Sequence, residues 1–104
     1  MKTLLQSALL NTLLIALPAF AQDVTINIKD FMFAPMDVNI AVGTRVTWVN
    51  DDQVPHTVME IHKAFHSAAL DTRDSFTYQF DNAGTFEYFC ALHPQMIGKI
   101  VVGG

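Results

Sequence analysis

The 104-residue sequence predicts an all-β domain, folded as an antiparallel sandwich or barrel. Apolar and polar residues alternate with period two in five separate runs. Turn-forming residues punctuate the gaps between those runs. No stretch past residue 21 shows the 3.6-residue period of an amphipathic helix.

The chain opens with Lys2 and a Leu/Ile/Ala-rich run from Leu4 to Leu17. Pro18-Ala19-Phe20-Ala21 then supplies an Ala-x-Ala pattern. This is the pattern of a secretory signal peptide spanning 1–21, with cleavage after Ala21. The apolar run is short of the ~20 residues that a spanning helix needs. Residues 22–104 are therefore expected to be the folded domain, exported to the periplasm without stable membrane insertion.

The first strand is expected where Val24, Ile26 and Ile28 alternate with Thr25, Asn27 and Lys29. Val46 and Trp48 alternate with Arg45 and Thr47, and Trp48 reads as a core residue. Phe76, Tyr78 and Phe80 alternate with Ser75, Thr77 and Gln79. Phe86, Tyr88 and Cys90 alternate with Thr85, Glu87 and Phe89, and Ile100 and Val102 with Lys99 and Val101. Successive side chains of a strand point to opposite faces, so each run buries one face. Gly43, Asn50-Asp51-Asp52 and Asp81-Asn82-Ala83-Gly84 supply turns, with Asp51-Asp52 expected to be solvated.

The formal net charge is −4, from six basic and ten acidic residues. Nucleic acid demands a basic face, so it is excluded as a partner. One cysteine cannot form a disulfide within the chain. A domain this small has a modest core, and a bound metal would add to its stability.

The chemistry concentrates at Cys90-Ala91-Leu92-His93-Pro94-Gln95-Met96. A thiolate, an imidazole and a thioether stand there with spacing Cys-x2-His-x2-Met, expected on a loop. Val54-Pro55-His56-Thr57-Val58 offers a second imidazole. Soft sulfur beside imidazole selects copper, and His2Cys with a weak axial Met describes a blue-copper electron-transfer site. A lone Cys is more often a small buried hydrophobe, and a lone Met core filler; the cluster makes the metal reading the stronger one. Alternation puts Cys90 on the face of Phe86 and Tyr88, pointing inward, where a bare thiolate would be costly without a metal. Pro55 and Pro94 each fix a torsion beside a candidate ligand.

The segments Val42–Asn50, Pro55–Val58, Ala83–Cys90 and His93–Val102 together resemble the small cupredoxins of the plastocyanin and amicyanin type. The two-residue gap between His93 and Met96 is similar to amicyanin. The resemblance implies a Greek-key β-sandwich of about eight strands and one copper ion held by His56, Cys90, His93 and Met96. It implies a monomeric periplasmic electron carrier cycling between Cu(II) and Cu(I), not an enzyme. It also implies redox-protein partners, with an amine dehydrogenase or other donor and a c-type cytochrome acceptor as candidates. Those partners would dock on an apolar collar around His93, for which Val54, Pro55, Leu92 and Pro94 are candidates and Phe31 a further one. Two positions depart from the family pattern, Thr57 and Ala91. Thr57 can donate its hydroxyl to backbone near residue 91, but Ala91 has no polar side-chain atom to return a hydrogen bond, so a looser site is expected.

His62 and His66, four residues apart, read as part of a polar loop, not a second metal site. Met32, Met36 and Met59 are scattered and read as gap fillers or surface residues. A copper chaperone would want an open, exchangeable site. A copper oxidase or reductase would want more histidines than this sequence spares.

Overall fold

The computed structural model describes residues 22–103. Eight strands form two four-stranded sheets, and the described residues contain no helix. The strands are β1 (Asp23–Lys29), β2 (Met32–Ala34), β3 (Asp37–Ala41), β4 (Arg45–Asn50), β5 (Met59–Glu60), β6 (Ser75–Gln79), β7 (Gly84–Cys90) and β8 (His93–Gly103). One sheet has the order β2-β1-β4-β6 and the other β3-β8-β7-β5. The expected β-sandwich is what the chain forms.

The period-two runs fall on strands in the expected sense. In β1, Ile26 and Ile28 are buried while Thr25, Asn27 and Lys29 are exposed. In β4, Val46 and Trp48 are fully buried. The two sheets close over a core in which Trp48 meets Phe65, Phe76 and Tyr88 at centroid distances of 5.4–5.7 Å. Val102 and Ile100 of β8 and Phe33 of β2 complete its floor.

The chain changes sheet five times outside the hairpins. β1 runs parallel to β4, and β3 parallel to β8, so their connections must cross between sheets. The crossing from β4 to β5 uses residues 51–58 and carries His56. Gly43 turns the chain from β3 into β4 with φ of 95°, a conformation that favours glycine.

The β7–β8 hairpin differs from the expected loop. Only Ala91 and Leu92 form its turn, and His93 already pairs with Cys90 at the start of β8. Phe89 pairs with Ile97, yet its neighbour Cys90 pairs with His93. A regular ladder would pair Cys90 with Met96. Pro94, Gln95 and Met96 are therefore extra residues on one side, a bulge that re-aims the side chains beside it. Pro94 has no N–H to give a ladder and suits this irregular stretch. Gly98 pairs with Tyr88 just past the bulge, and a Cβ there would overlap the Tyr88 ring.

Candidate metal centre

Three backbone devices converge at one end of the sandwich. Strand β7 ends in Cys90, whose alternation with Tyr88 turns its sulfur inward; the residue is fully buried. The two-residue turn brings His93 back beside it, half-buried. The bulge then turns Met96 inward, leaving it 3% exposed. From the other sheet, the crossing segment delivers His56, also fully buried. Its backbone is pinned on both sides: His56 N donates to Leu70 O at 3.1 Å, and Leu70 N donates to His56 O at 2.7 Å.

His56, Cys90 and His93 place their donor atoms within 4.8 Å of one another. Cys90 Sγ lies 3.7 Å from His56 Nδ1 and 3.6 Å from His93 Nδ1, and the two Nδ1 atoms are 3.2 Å apart. A metal with N and S bonds of about 2.0 and 2.3 Å in a trigonal plane would hold its donors roughly 3.5–3.7 Å apart. The two N–S edges have that length and the N–N edge is about 0.3 Å shorter, so the residues fit a metal ion between them. The donors are soft and borderline, which fits copper. His56, Cys90 and His93, with Met96 buried beside them, are arranged as a type 1 copper site.

A family model for the cupredoxin-like domain matches residues 4–102. The chain is a cupredoxin. It is 31% identical over 84 residues to amicyanin of Paracoccus denitrificans, an alignment covering 76% of this chain and 64% of that protein. It therefore spans just under two thirds of that relative's length. Amicyanin-alpha of Methylorubrum extorquens is 32% identical over 82 residues, covering 74% of this chain and 69% of that one. Among solved structures, a purple cupredoxin from Nitrosopumilus maritimus superposes with a TM-score of 0.73 at 33% identity, covering 78% of this chain and all of that one.

Around its donors this cupredoxin builds a shell the sequence only partly disclosed. Asp52 was expected in a solvated turn. It is instead buried, and its Oδ2 lies 2.8 Å from His56 Nε2. The carboxylate accepts a hydrogen bond from Nε2–H, which fixes the tautomer and leaves the Nδ1 lone pair facing Cys90. Burial raises the Asp52 pKa, but hydrogen bonds from the Phe31 amide, the His56 ring and the Asp30 amide outweigh it and hold the group below its usual value. The reason for the miss is positional: Asp52 faces inward at the start of the crossing segment, four residues before His56. An acidic residue four before a candidate ligand was the available signal.

Thr57 also corrects an expectation. Its hydroxyl accepts the Ala91 amide at 2.7 Å, and its own amide donates to Cys90 Sγ at 3.3 Å. The His56 and Cys90 segments are thus tied through backbone, so Ala91 needs no side-chain polar group. The expected looseness is replaced by two cross-links.

The candidate collar residues are exposed to different degrees. Leu92 is 50% exposed, Pro55 and Pro94 are exposed, and Val54 is half-buried. Phe31 is 45% exposed and lies edge-on to both imidazoles, at 5.2 Å from His56 and 4.9 Å from His93. His62 and His66 are exposed and stand apart from the centre; His62 Nδ1 lies 3.5 Å from Glu60 Oε2. Met32 and Met36 are surface residues and Met59 is half-buried.

Proposed function

We propose that this cupredoxin is a periplasmic carrier of single electrons between redox proteins, with copper held by His56, Cys90, His93 and Met96. The observation that carries the reading is the contrast between the donors. His56 and Cys90 are fully buried, whereas His93 reaches the surface inside an apolar, exposed rim. Copper bound there supplies one-electron cycling between Cu(II) and Cu(I).

The protein's own residues do the rest. Two sheets and the Thr57 cross-links hold the donors in one arrangement, so little has to move when charge changes. Burial of Cys90 keeps the thiolate from solvent and from disulfide exchange. Leu92, Pro55, Pro94, Val54 and Phe31 form a modest apolar rim suited to brief docking. The amicyanin likeness supports an amine dehydrogenase or similar donor and a c-type cytochrome acceptor. The secretory segment at 1–21, which lies outside the described residues, supports export.

The test is optical and kinetic. Copper-loaded protein should be intensely coloured and should bleach reversibly on reduction. Leu92→Glu and Val54→Glu should slow electron exchange with a redox partner by about tenfold while leaving the spectrum unchanged. A colourless copper complex would instead make the protein a chaperone. Unaltered exchange rates in both variants would remove the rim from the mechanism.

A further inference from the structure

A two-residue hairpin turn joins β1 to β2, and Lys29 pairs with Met32 across it; such turns need positive φ at both central positions, which Asn and Gly usually fill. Asp30 and Phe31 are consecutive non-glycine residues with φ of 53° and 59°. Left-handed pairs of this kind are disfavoured and persist only where their surroundings over-determine them. The surroundings here are one carboxylate. Asp30 N donates to Asp52 Oδ1 at 2.7 Å, and Phe31 N donates to Asp52 Oδ2 at 2.9 Å. The same Oδ2 accepts His56 Nε2–H at 2.8 Å.

We propose that Asp52 is a positioning residue that couples the exposed Phe31 ring to the buried His56 ring, so that a partner touching Phe31 acts on the inner side of the copper site. Phe31 stands over both imidazoles, half in solvent, where a docking surface would meet it. Its backbone amide and the His56 ring share one oxygen atom. Moving the turn changes the hydrogen bonding of His56, and the reverse holds equally.

The backbone of Asp52 is held in place, so its carboxylate is the part that answers to the turn. Its amide donates to Asn50 Oδ1 at 2.9 Å, and Thr72 Oγ1 donates to its carbonyl at 2.6 Å. Asn50 in turn donates to Val54 O at 2.9 Å and Leu70 O at 2.8 Å, closing the frame around His56. The carboxylate therefore links the Phe31 amide to the His56 ring through one shared oxygen, on a backbone that stays in place. The copper part of this coupling rests on the reading above; the Asp52 lock itself does not need a metal.

The experiment is NMR on the full domain, metal-free and loaded with Cu(I), followed by voltammetry. In the wild type, the Asp30 and Phe31 amides should exchange with solvent at least 100-fold more slowly than an open chain, although both residues are exposed. Asp52→Asn should cost both amides at least tenfold in protection, shift the His56 Nε2–H resonance, and weaken contacts between the Phe31 ring and His93. It should also raise the reduction potential, because a negative charge beside the oxidised site is lost. Phe31→Ala should shift the His56 Nε2–H resonance by itself, and Asp52→Glu should restore part of what Asn loses. Open-chain exchange of the wild-type amides overturns the lock even if every variant misfolds. A Phe31→Ala protein with an unmoved His56 resonance, or Asp52→Asn moving one ring and not the other, overturns the coupling. Failure to load copper, with the amide results intact, would strike the carrier reading and leave the lock standing.

Discussion

Cys90 carries the sharpest prediction at the scale of single residues. It supplies the thiolate of the donor triangle, and neither histidine can replace its charge transfer to copper. Cys90→Ser should abolish the strong visible absorption of the copper-loaded protein. Its retention would place copper elsewhere. Two side chains among the described residues have shifted pKa values, Asp52 and Tyr88. Asp52 titrates below its usual value in the fold, so its contribution is present above the unfolded value and lost as pH falls through the folded one. Metal-free protein should lose stability below about pH 4, and Asp52→Asn should flatten that part of the urea midpoint profile. Tyr88 behaves oppositely. Burial pushes its phenol up to about 12. Its stabilising contribution is complete below the unfolded value and is lost as pH rises toward the folded one. A shift of this size corresponds to ~3 kcal/mol lost between about pH 10 and 12. Absorbance at the phenolate band in a Tyr78→Phe background should show the late titration; a normal phenol there would contradict the burial.

The β7–β8 hairpin shows, at the scale of elements, where sequence reading succeeded and where it stopped. Alternation along Phe86, Tyr88 and Cys90 gave the inward direction of the thiol, because a strand's side-chain period is fixed by geometry alone. The bulge at Pro94–Met96 was not legible, because a register shift is a property of two strands and not of one. Strands β2 and β5 were missed for a related reason: with three and two residues they exist through pairing with neighbours more than through their own pattern. Strand β3 was within reach, since Val38 and Ile40 alternate with Asp37 and Asn39. Asp52 escaped because residue type said turn, while the tertiary frame of Asn50 and Thr72 turned it inward. Gly98 tests the element directly. Its lack of a side chain lets the Tyr88 ring lie against β8. Gly98→Ala should cost about 1–3 kcal/mol through overpacking, read as a lower urea midpoint with an unchanged slope. A change under about 0.5 kcal/mol would mean that the ring moves aside freely.

The whole molecule is a two-sheet frame whose sheets are joined at one end by the donor cluster. His56 belongs to the crossing segment between the sheets, and Cys90, His93 and Met96 belong to the β7–β8 hairpin. A metal bound by both therefore closes the sandwich as a disulfide would, in a domain whose cysteine count allows no disulfide within the chain. A ligand at 1,000 times its dissociation constant stabilises a fold by about 4 kcal/mol if the unfolded chain does not bind it. For a domain of this size each kcal/mol moves Tm by roughly 4–8 °C. Zinc is the cleaner probe, because it fills an N/S site without redox chemistry. Saturating zinc should raise the Tm of the metal-free protein by at least about 15 °C. His56→Ala should remove most of that gain, even though the hairpin donors remain, because the clasp between the sheets would be gone. A gain that survives His56→Ala would show that the hairpin alone holds the metal, and that the joining of the two sheets adds nothing to the stability of the fold.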